Sequence, residues 1–146
     1  MKDFTGVGVK TILSIFRSFG TTFKYFVFVQ VGLIDASAFK DHSELEKVKE
    51  KVQNELDRYI NLMKRYGYQA EGFSLYGTDT VEEVEKIALK ITERFCNVTY
   101  FGGQIVFPQN TFISRLLHNY TLFSIQDHLY KMGMPVIILP IELPYN

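Results

Sequence analysis

The stretch Y-F-V-F-V-Q-V-G-L-I, from Tyr25 to Ile34, constrains the fold more than any other part of the chain. It is apolar on both alternations and rich in β-branched and aromatic residues, the pattern of a central strand covered on both faces. Such a strand calls for a parallel sheet with helices above and below it. It is also the longest uncharged apolar stretch, about half of the roughly 20 residues that cross a bilayer as a helix.

The segments around it alternate in period. Before it, Val9, Ile12, Leu13, Phe16 and Phe19 keep a helical spacing that ends at Gly20. After it, Ser43 and Glu46 form a capping box. Leu45, Val48, Val52, Leu56, Tyr59 and Met63 then hold one face of a long helix, with Gly67 as its left-handed stop. Ala70–Tyr76 reads as a weaker strand towards a sheet edge, because glycine and polar residues fill one alternation. Thr80 and Glu83 repeat the capping box before Val81, Val84, Ile87, Ala88, Ile91 and Phe95, another amphipathic helix.

N-V-T-Y-F is a third strand that runs into Gly102-Gly103, where it is expected to leave the sheet. Asn110 to Met132 is the last helix, with Phe112, Ile113, Leu116, Leu117, Ile125 and Leu129 apolar and Gly133 as its cap. P-V-I-I-L-P-I closes the chain as a fourth strand, and Pro140 argues for an edge, where one N–H can be spared. Helices of crossover length between strands imply parallel neighbours. The expectation is an α/β three-layer sandwich around a mostly parallel four-stranded sheet, or a five-stranded one if a first strand lies upstream, since such folds usually open with a strand. No repeat, linker or low-complexity tract divides residues 1–146, so a single domain is expected.

Composition narrows the partners. At 47% hydrophobic and 22% charged, the chain is that of a folded domain. Sixteen basic residues balance sixteen acidic ones, which leaves no net field to draw in nucleic acid. Cys96 is the only cysteine, so no intramolecular disulfide forms and a reducing, cytosolic compartment fits. The start, M-K-D-F-T-G, lacks the basic, apolar and small-residue succession of a secretory signal.

In open parallel sheets ligands bind beyond the carboxyl ends of the strands. Three places are expected there: Asp35 after the first strand, Gly77-Thr78-Asp79 after the second, and Gly102-Gly103-Gln104 after the third. Glycines let a ligand approach the backbone, and a following helix start offers N–H groups to an anion. Gly6 and Gly8, in G-V-G-V-K-T, precede a helix and could cradle a phosphate. Val9 stands where a phosphate loop needs glycine before lysine, which excludes a nucleoside triphosphatase. Each position also has a plain structural reading as a turn or cap residue.

Catalysis finds little support in the sequence. His42, His118 and His128 are scattered, the last two on different faces of one helix, and make no metal pair. Cys96 has no C-x-x-C partner, no G-x-S-x-G elbow occurs, and nothing orients a partner for Asp35 or Asp79. The chain is read as no enzyme and as needing no metal. L-L-H-N-Y-T places His118 and Asn119 within an otherwise apolar helix, where they require partners from a loop or a second subunit.

Taken together, F-K-Y-F-V-F-V-Q-V-G-L-I-D, G-T-D-T-V-E-E-V-E-K, Y-F-G-G-Q-I-V-F, L-L-H-N-Y-T-L-F-S-I-Q and M-P-V-I-I-L-P-I carry a likeness. From about Gly6 to Ile141 the chain resembles the C-terminal cytosolic domain that follows the membrane helices in amino-acid-permease-like transporters. These belong to the amino acid, polyamine and organocation superfamily. That tail is in turn similar in organisation to universal stress proteins, some of which bind adenine nucleotides. In those binders a glycine-rich loop holds phosphates at the place Gly102-Gly103-Gln104 occupies, although Ile105-Val106-Phe107 follow here and the full motif is absent.

The resemblance implies a regulatory or assembly domain on the cytoplasmic side of the cell membrane. Its partner is the membrane-embedded part of the same transporter, and its ligand, if one is sensed, is an adenine nucleotide or other small anion. It also implies that a first strand and the membrane helices lie upstream of Met1, which would leave a sheet vacancy that a partner chain could fill. The apolar run Phe101–Phe112 invites a homodimer. The alternative is a free-standing, universal-stress-like nucleotide-binding protein.

Overall fold

The computed structural model describes residues 4–34, 42–106 and 113–142. A π-helical turn, Phe4–Gly8, kinked at Gly6, leads into α1 (Val9–Phe19). The order continues as β1 (Tyr25–Leu33), α2 (His42–Arg65), β2 (Gln69–Gly77), α3 (Thr80–Arg94), β3 (Tyr100–Val106), α4 (Ile113–Lys131) and β4 (Val136–Glu142). Every strand and helix expected from the sequence is present in the expected order. Asp35 and the start of the last helix, Asn110 to Phe112, lie outside the described residues.

The strands do not form the expected four-stranded sheet. β1 pairs with β2, and β3 with β4, each pair parallel, as two separate two-stranded sheets. The chain divides accordingly into two compact units, residues 19–84 and residues 1–18 with 85–146. The apolar pattern of β1 bears on what covers the faces of the strand. It carries no information about how many strands lie beside it, and the single sheet was inferred from that pattern.

In the unit of residues 19–84, α2 is the crossover between β1 and β2 and packs on one face of their sheet. Register pairs Tyr25 with Gln69 and Leu33 with Gly77. α2 buries Val52, Leu56, Tyr59 and Met63, the face its spacing foretold. Two strand glycines admit the helix. A Cβ on Gly72 would fall 2.6 Å from Leu56 Cγ, and one on Gly32 would fall 2.9 Å from Val48 Cγ1. Tyr59 stacks on Phe28, with ring centroids 5.4 Å apart. Gln30 Nε2 donates to Glu55 Oε2, so the one polar side chain on this face of β1 is satisfied from α2.

α2 ends as expected. Gly67 has φ +84°, Gly67 N donates to Lys64 O, and Tyr68 N donates to Met63 O, the two bonds of a Schellman cap. Gly133 closes α4 in the same way, with φ +79° and bonds to Tyr130 O and from Met134 N to Leu129 O. The start of α2 differs: it begins at His42, so Ser43 lies inside the first turn rather than before it.

In the other unit, β3 and β4 are joined through α4, with Tyr100 opposite Val136 and Val106 opposite Glu142. Ala88, Leu129, Met134 and Val136 form a core against Tyr100, Ile125 and Met132. Tyr100 OH donates to Ala88 O at 2.9 Å and lies 2.8 Å from Thr92 Oγ1. Burial raises the Tyr100 phenol above its ordinary pKa, and the Thr92 hydrogen bond works against that shift. Because Tyr100 N donates to Pro135 O, alternation turns the nitrogen of Pro140 outward, away from β3. The proline's nitrogen therefore lies on the side of β4 away from β3, where no described strand pairs with it, as its missing N–H requires. Among the described residues no helix is long and apolar enough to cross a membrane.

Candidate functional site

Gly102 and Gly103 lie in the middle of β3, opposite Ile138 and Leu139, and not beyond its carboxyl end. Being adjacent in a strand, they face opposite sides of the sheet, and each side is occupied. A Cβ on Gly102 would overlap Leu122 of α4. A Cβ on Gly103 would overlap Thr11 Oγ1 and fall 2.9 Å from Ile141 Cγ1 and 3.0 Å from Val7 Cγ1. The pair thus lets α4 approach the strand from one side and the start of α1 from the other. The expected exit of the strand from the sheet at this pair is therefore corrected, since β3 runs on to Val106; a glycine pair in isolation does not distinguish a bend from a close approach.

The same contact brings two expected sites together. Val7, between Gly6 and Gly8, and Thr11 both lie against Gly103, while Lys10 Nζ donates to Glu142 O at the end of β4. G-V-G-V-K-T therefore meets the sheet next to Gly102-Gly103-Gln104, with Gln104 half-buried opposite Pro140. Thr11 Oγ1 donates to Val7 O at 2.6 Å, tying the kinked turn to α1. α1 has no acidic residue in its first turn, and Lys10, in that turn, donates to a backbone carbonyl, Glu142 O.

Gly77-Thr78-Asp79 belongs to the unit of residues 19–84. Ile34 N donates to Gly77 O at 3.0 Å, extending the β1–β2 ladder. Asp79 is the cap of α3 rather than Thr80: its Oδ1 accepts from Val81 N at 2.9 Å and from Glu82 N at 3.3 Å. Asp-Thr offers two capping side chains in succession, and the carboxylate takes the place because it accepts both bonds and carries the charge that a helix N-terminus favours. Glu83 lies against Gly77, where a Cβ would fall 2.8 Å from its Cγ. Asp79, Glu82 and Glu83 together make this helix start acidic, and two of the N–H groups that a phosphate would use are already bonded.

Replacing Asp79 with alanine is expected to cost about 1 kcal/mol, and replacing it with asparagine much less, because asparagine keeps the accepting oxygen. Chemical denaturation of the two variants checks this; equal losses would mean that charge rather than capping is what Asp79 supplies.

The remaining chemical groups are dispersed. His128 Nδ1 and Glu85 Oε1 form a hydrogen-bonded pair between α4 and α3. Lys49 lies over the Tyr76 ring, 5.9 Å from its centroid. Cys96 is exposed, and Asn119 is buried within α4. Among the described residues no three His, Cys, Asp or Glu side chains stand together as metal ligands. No family model, no curated protein and no solved structure matches this chain.

Proposed function

We propose that the chain is a non-catalytic regulatory or assembly domain of an amino-acid-permease-like transporter, acting at the cytoplasmic side of the membrane through protein contacts. One observation carries the choice of assembly over ligand sensing: the chain's own groups fill the places a ligand would touch. Leu122 and Thr11 lie on the glycine pair, and Asp79 caps α3. The transporter itself rests on the likeness of the five sequence segments. An effect on transport would require the partner to bind two states of the domain with different affinity.

An antiserum raised against this chain, applied to fractionated cells of the source organism, tests the reading. A carbonate-resistant membrane signal at a mass well above 16.9 kDa is expected. A 16.9 kDa species confined to the soluble fraction overturns it and favours the free-standing nucleotide-binding protein, for which a rise in melting temperature with ATP then supplies the check.

A further inference from the structure

We draw no further inference here: the strongest candidate, the row of exposed aromatic side chains Tyr120, Phe123 and Tyr130 along α4, carries nothing because nothing in the structure shows what covers it.

Discussion

Replacing Gly103 with valine is expected to cost about 3 kcal/mol, the upper part of the usual range for overpacking, and to lower the melting temperature by roughly 6–12 °C. Two effects oppose each other. Valine is a far better strand residue than glycine, an advantage of up to about 1 kcal/mol in a half-buried strand. Against it, the first carbon of the new side chain overlaps Thr11 Oγ1 and crowds Ile141 and Val7. Packing therefore wins, because the groups in the way belong to the start of α1 and to β4, and relief requires moving an element.

A smaller pair of changes isolates the contact. Gly103→Ala should be destabilising alone, and Thr11→Ala in the same chain should recover part of the loss by removing the overlapping oxygen, a coupling of about 1 kcal/mol in a double-mutant cycle. Additive losses would show that Thr11 is not what the glycine makes room for. The same argument governs ligand assays: a Gly103→Val protein that fails to respond to a nucleotide has lost folded protein before it has lost a site.

The parts of this fold legible in the sequence are those decided within one turn or one strand. Gly67 and Gly133 stop their helices because the left-handed conformation is a local demand, and Pro140 marks an edge because its missing N–H is a local fact. The buried face of α2 follows from spacing alone, since Val52, Leu56, Tyr59 and Met63 repeat at helical period. Strand neighbours are not legible in this way. The pattern of β1 bears on coverage of its faces and is silent on lateral pairing, which is how two two-stranded sheets can come from a sequence that reads as one sheet.

The glycine pair was legible as a local peculiarity of the chain, and neither its place in the strand nor its purpose was. Gly102-Gly103 reads as the place where the third strand turns out of the sheet, whereas the pair lies inside β3 with Leu122 on one side and Val7 with Thr11 on the other. Those residues are distant in sequence, and no spacing rule connects them. Asp79 against Thr80 is a different kind of ambiguity: both side chains can cap, and a shift of one residue in the helix start decides between them.

Leu56→Ala is expected to have the largest effect in the unit of residues 19–84. Leu56 is 2% exposed and lies over Gly72. Truncation at such a site costs about 2–5 kcal/mol, according to how far the surroundings collapse into the space left behind. Collapse is limited here, because one wall of that space is strand backbone held by the ladder to β1, so a loss of about 4 kcal/mol is expected, in the upper half of that range. Gly72 supplies the decisive comparison. In the natural chain, Gly72→Ala places a methyl group 2.6 Å from Leu56 Cγ and should cost about 1–3 kcal/mol by overpacking. In the Leu56→Ala chain the same methyl group enters the cavity and should recover about 1 kcal/mol, so the substitution changes sign with its background. Denaturant midpoints of the four proteins measure this directly. A Gly72→Ala effect of the same sign and size in both backgrounds would mean that α2 does not seat Leu56 on Gly72, and that the strand glycine serves β2 rather than the helix above it.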